Sequence, residues 1–279
     1  MIAKRKIFMG KIIAFANQKG GVGKTTTCVN LSAYFAAMGK KVLIVDLDPQ
    51  GNASSNVGIE KTDDSKSIYN IISGENYAEE VIIKTKIEGL DILPSSINLA
   101  GAEIELVQMD NREIVLKNIL NRLRNFYDFV CIDCPPSLGL LTVNALTASD
   151  SVLIPIQCEF FALEGLTQLM NTIKLIKKHG LNANLDVEGV VLTMKDNRSN
   201  LVNQVSQEIR AFFGNRVYNT VIPRNIRLAE APSYGEPILT YDPKSKGGFA
   251  YMLLAEEVLE RNKISYNKIT KFNKVNKGE

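Results

Sequence analysis

Residues 11 to 26, KIIAFANQKGGVGKTT, constrain this chain more than any other stretch. The run Ile12-Ile13-Ala14-Phe15-Ala16 has the unbroken apolar character of a strand buried on both faces. It enters a glycine-rich turn that gives way to helix-forming residues near Lys24. Gly20, Gly21 and Gly23 let the backbone take positive φ and approach a ligand closely, so successive N–H groups can converge at a helix N-terminus. Such a concavity suits phosphate. Lys24 is placed to reach the β- and γ-phosphates of a nucleotide, and the Thr25 hydroxyl to ligate Mg²⁺. The match to G-x-x-x-x-G-K-[ST] is incomplete, because Gln18 stands where the first glycine belongs and a second lysine, Lys19, follows it.

From Lys24 to Met38 the spacing predicts a helix, with Val29, Leu31, Tyr34 and Phe35 on its buried side and Gly39 as its stop. Val42-Leu43-Ile44-Val45 then forms a second buried strand and completes a right-handed βαβ unit. It ends in Asp46-Leu47-Asp48, two carboxylates at the strand end where doubly wound sheets bind ligands. Residues 51–58 read as a loop, Ser67 to Ile72 as a short helix and Asp91 to Leu93 as a short strand. Leu116, Ile119, Leu120 and Leu123 mark a stronger helix, and the strand from Tyr127 to Asp133 again ends in an acid. Further strands are expected at Ser151 to Ile156, Val187 to Thr193 and Val217 to Ile222. Helices are expected through Leu166 to Ile173, Leu201 to Phe213 and Phe249 to Leu259.

This alternation predicts an α/β fold: one P-loop NTPase-like domain, residues 10–262, with a mostly parallel twisted sheet and helices on both faces. Residues 1–9 read as a flexible basic extension or the product of an upstream start. Residues 263–279, KISYNKITKFNKVNKGE, read as a basic, mobile tail, with an interfacial amphipathic helix as the alternative. At 279 residues, 45% hydrophobic and 23% charged, the composition is that of an ordinary soluble protein. A formal charge of +3 argues neither for nor against nucleic acid, so local patches must decide. No signal peptide or membrane-length apolar span is visible, and a cytoplasmic location is expected.

The run KGGVGKTT at 19–26 resembles the deviant Walker A loop of the ParA/MinD family of P-loop ATPases. DLDPQGN at 46–52, DCPPSLG at 133–139 and VIPRNIRLAEAPSYGEPI at 221–238 resemble its chromosomal ParA/Soj branch, over nearly all of residues 10–260. The resemblance implies an ATPase that uses ATP and Mg²⁺, bound by Lys19, Gly20, Gly21, Val22, Gly23, Lys24, Thr25 and Thr26, with Pro223 and Asn225 beside the adenine. Catalytic parts fall to Lys19, Lys24 and Asp48, which positions the attacking water, and the metal shell to Thr25, Asp46 and Asp133. Lys19 is implied to reach across a nucleotide-sandwich homodimer to phosphates held by the other copy.

Members of this branch bind DNA without sequence preference as ATP dimers, and a ParB-like partner stimulates hydrolysis. The implied location is the nucleoid. Phosphate contacts require surface cations, and between Lys195 and Arg227 the basic side chains outnumber Asp196 and Glu208; Arg198, Arg224 and Arg227 are the candidates. A MinD-like, membrane-associated regulator is the alternative, with membrane attachment ranked low. Cys131 and Cys134 form a C-x-x-C that suggests a cluster carrier, but they bracket a buried strand end and read as apolar fillers, as do Cys28 and Cys158. His179 sits where a helix should end and is assigned no catalytic part.

Overall fold

A computed structural model describes residues 9–60, 66–159, 162–195 and 200–269. The strands are β1 (Lys11–Phe15), β2 (Val42–Asp46), β3 (Ile83–Lys84), β4 (Leu90–Leu93), β5 (Phe129–Asp133), β6 (Ser151–Gln157) and β7 (Asp186–Thr193). They form one sheet in the order β3-β4-β2-β5-β1-β6-β7, parallel throughout except for the short edge strand β3. Residues alternate across it: Ile12 and Ala14 enter one core, Ile13 and Phe15 the other, which is why β1 is apolar without a break.

One face is covered by α1 (Lys24–Ala37), with part of α2 (Asn52–Asn56). The opposite face carries α3 (Ile68–Ile72), α4 (Leu99–Val107), α5 (Val115–Leu123), α6 (Leu140–Ala148), α7 (Ala162–Lys178) and α8 (Asn200–Phe213). After α9 (Ile226–Glu230) the chain returns to the first face through α10 (Ile238–Tyr241) and α11 (Lys246–Arg261). Gly39, with φ +85°, ends α1: its N–H bonds Ala36 O at 2.9 Å and the Lys40 N–H bonds Phe35 O at 3.0 Å. The helix after β1 lies on one face and α6, after β5, on the other. Their connections diverge at the carboxyl ends of adjacent strands and leave a crevice there.

Three expectations are corrected. Residues 217–222 do not form a strand. The Tyr218 and Ile222 N–H groups reach β7 at 2.9 Å each, but those of Asn219 and Thr220 turn to the Glu257 carboxylate at 2.8 and 2.9 Å, which breaks the ladder. The loop at 51–58 contains α2, entered through Gly51 at φ +60°. Helix α4 is not signalled by the sequence, since it has no side-chain N-cap and carries Gly101 in its first turn. Beyond α11, Ile264, Tyr266 and Ile269 pack against the core under α1, and the Asn267 N–H bonds Met38 O at 3.1 Å. Residues 264–269 form no helix; Ile264 and Tyr266 turn inward on either side of exposed Ser265, as in extended chain. No helix among the described residues is long and apolar enough to cross a membrane.

Candidate functional site

The loop between β1 and α1 takes left-handed backbone at Gly21 (φ +73°) and Gly23 (φ +84°); Gly20 does not, which corrects the expectation for that residue. Gly23 is the N-cap of α1, and no side chain caps the helix. Its first N–H groups therefore face the crevice as donors for an anion. The loop is braced from behind: Thr193 Oγ1 donates to Val22 O at 2.8 Å, and the Asn17 amide donates to Pro155 O at 2.8 Å and accepts the Lys19 N–H at 3.0 Å. Lys24 is buried, and its ammonium donates to Lys19 O at 3.0 Å. Burial lowers its pKa, against the opposing pull of Asp133, Cys134 and Asp48. The Lys19 ammonium pairs with Glu159, in the turn after β6. Sequence reading missed both Asn17 and Glu159, and Glu159, 140 residues away, left no local signal.

Asp46 and Asp133 close β2 and β5 in register, side by side, and both are fully buried. Asp46 accepts from the Ser54 N–H at 2.8 Å, the Ser54 hydroxyl at 2.6 Å and the Asp48 N–H at 3.3 Å. Burial nevertheless pushes its pKa up to about 6, with the carboxylate of Asp48 adding to the rise. Neither oxygen of Asp133 has a hydrogen-bond partner among the described residues. Burial first, and the neighbouring Asp46 second, raise its pKa well above the carboxylate range; Thr25 and Lys24 pull the other way. Asp48 is buried at the mouth and accepts the Gln50 N–H at 3.0 Å.

A cavity of about 640 Å³ opens in front of these groups, within the ~300–1,000 Å³ usual for ligand sites. Gly20, Gly21, Gly23, Lys24, Thr25, Thr26 and Asp48 line it on one side, and Pro223, Arg224, Asn225 and Ile226 on the other. Lys19 and Val22 support the loop without lining the cavity, and Asp46 and Asp133 lie beneath its floor. Asn225 Oδ1 is buried there without a partner. Met194, at φ +48°, also borders it, a strained conformation of the kind that collects at functional sites.

The arginine candidates separate. Arg224 is exposed at the cavity rim, and Arg227 pairs with Glu230 at 2.9 Å and Asp242 at 3.4 Å. Arg198 lies outside the described residues. Cys131 and Cys134 fall in cores on opposite faces of the sheet and cannot hold one cluster together. Burial pushes the Cys131 thiol up to about 12.

A family model described as an AAA domain matches residues 10–187. The sporulation initiation inhibitor protein Soj of Bacillus subtilis is 58% identical over 250 residues, which span 90% of this chain and 98% of Soj. The chromosome partitioning protein ParA of Caulobacter vibrioides is 51% identical over 255 residues, covering 91% of this chain and 95% of that one. The solved structure of cobyrinic acid a,c-diamide synthase from Mycobacterium smegmatis, with bound ATP analog and magnesium, is 35% identical with a TM-score of 0.80. That match covers 94% of this chain and 100% of the other. With this fold, this loop and relatives at these identities, the chain belongs to the ParA/Soj family of chromosome-partitioning ATPases.

Proposed function

We propose that the protein is an ATP-dependent DNA-partitioning ATPase whose ATP-bound homodimer binds DNA without sequence preference and is released by hydrolysis. The observation that carries the nucleotide part is a pair of orphaned polar groups, Asn225 Oδ1 in the cavity wall and the Asp133 carboxyl buried behind its lining. The bare carboxylate of Asp133 suits a cation near the phosphates, and the unpartnered Asn225 Oδ1 suits the amino group of adenine. Lys24 and the loop N–H groups from Gly20 to Thr26 hold the phosphates, Thr25, Asp46 and Asp133 hold Mg²⁺, and Pro223 flanks the base. Bound Mg²⁺ supplies Lewis-acid charge neutralisation at the phosphates. Asp48 orients the attacking water, and Lys19 of a second copy completes the charge around the phosphates.

Arg224, Arg227 and Arg198 are the proposed contacts to DNA phosphates. The carboxylates now paired with Arg227 are part-exposed and give way at low energetic cost. A ParB-like partner accelerates turnover, and the protein works in the cytoplasm on the nucleoid. DNA binding measured across a salt series with ATP, ADP and no nucleotide tests this reading. Tight, steeply salt-dependent binding with ATP alone is expected. Identical binding in all three states rejects it, as does an ATPase rate that DNA and a cognate ParB together leave unchanged.

A further inference from the structure

Both lysines of the loop are occupied within their own chain. Lys24 rests on the Lys19 carbonyl at 3.0 Å, while the Lys19 ammonium is paired with Glu159. The segment from Asn17 to Lys19 is thereby tied twice to the exit of β6, once through the Asn17 amide on Pro155 O and once through Glu159. The Glu159 side is held in its own turn, with its N–H on Gln157 O and its carbonyl accepting from Ala162 N–H, both at 2.9 Å. Of the two loop ammonium groups, Lys19's is the more exposed and so the one able to leave the chain. Its side chain is 34% exposed and that of Glu159 is 45%.

We infer that Glu159 is a latch: a positioning residue that holds Lys19 against its own subunit and so sets the threshold for ATP-driven dimerisation. The inference rests on the trans role proposed above for Lys19. An ammonium spent on Glu159 cannot also reach the phosphates of a second copy, so every dimerisation event must first give up this pair. Arrival of phosphate loosens the latch from the other side. A phosphate that takes the Lys24 ammonium removes that lysine from the Lys19 carbonyl, one of the contacts that fix residue 19. An exposed pair is the appropriate strength for such a device, because a buried one would not open.

The test is sedimentation of wild type, Glu159→Gln, Lys19→Ala and the double variant with ATP and Mg²⁺. Glu159→Gln is expected to lower the protein concentration at half-dimerisation about two- to fivefold, the range that an exposed pair supports. Glu159→Lys, which repels Lys19, enlarges the shift. Affinity for ADP in the monomer stays put, and the difference between Glu159→Gln and wild type shrinks at high salt. In the Lys19→Ala background the Glu159 substitution has no further effect. Equal or weaker dimerisation by Glu159→Gln overturns the latch while leaving the trans lysine standing. A wild type that forms no ATP-dependent dimer overturns both.

Discussion

Asp46 and Asp133 end adjacent strands in the same register, are equally buried, and differ in what surrounds them. Asp46 receives three hydrogen bonds and fastens the start of α2 to β2 through Ser54. Asp133 receives none of that geometry among the described residues, with only the Thr25 hydroxyl near enough to favour its charge. One acid is committed to the fold and the other is kept bare, and a bare buried carboxylate is costly unless something arrives to use it. The contrast divides the metal shell into a structural member and a reactive one, and that division can be broken experimentally.

The largest effect is expected at Asp133. Replacing it with Asn removes the charge that would meet the cation and should cost ATP hydrolysis on the order of 10²- to 10³-fold, several kcal/mol of transition-state stabilisation. A phosphate-release assay across a Mg²⁺ titration reads this directly. Turnover within about tenfold of wild type would return Asp133 to the status of a buried strand-end residue.

Stability should move in opposite directions at the two acids. Asp133→Asn relieves an unpaired buried carboxylate and is expected to raise the melting temperature of the nucleotide-free protein. Asp46→Ala strands the Ser54 N–H and hydroxyl and is expected to lower it. Each change is about 1–3 kcal/mol, at roughly 2–4 °C per kcal/mol for a chain of this size. Calorimetry on the two variants decides, and shifts of the same sign would mean that the hydrogen bonds to Asp46 do not set it apart.

Much of this was legible before the fold. The apolar run into KGGVGKTT, the acids at the ends of β2 and β5 and the strand–helix alternation depend on neighbours in sequence, and local patterns report them well. What distinguishes Asp46 from Asp133 was not, because it is set by where Ser54 lands eight residues later and by what fails to land on Asp133. Residues 217–222 misled for a related reason. They have strand composition, but a carboxylate on α11 takes two of their N–H groups, and no local pattern records that. Glu159 likewise meets Lys19 only through the juxtaposition of β1 and β6.

A smaller effect concerns pH. Asp46 has a folded-state pKa raised to about 6, above the ordinary 3.8, and Asp133 is raised as well, so the fold binds protons that the unfolded chain releases. The stability that Asp46 lends is therefore fully present below about pH 3.8 and is lost as pH rises through 6, and the share of Asp133, raised further, is lost at higher pH. Urea midpoints of the nucleotide-free protein should fall between pH 5 and about pH 7.5, with a shallower slope for Asp46→Asn. A slope unchanged by that substitution would assign the titration elsewhere.

The smallest effect is the most specific to the contrast. Ser54→Ala removes the 2.6 Å hydroxyl bond to Asp46 and leaves the 2.8 Å backbone bond in place, so it should cost about 1 kcal/mol. The Ser54 hydroxyl also accepts the Ser95 N–H at 3.1 Å, and this second bond is lost with it. In an Asp46→Ala background the Asp46 share disappears and only the Ser95 share remains, so the two substitutions should be less than additive. Denaturant unfolding of the four proteins measures the coupling. Strict additivity would show that Ser54 stabilises the fold through Ser95 alone, and that Asp46 is no better anchored than the bare acid beside it.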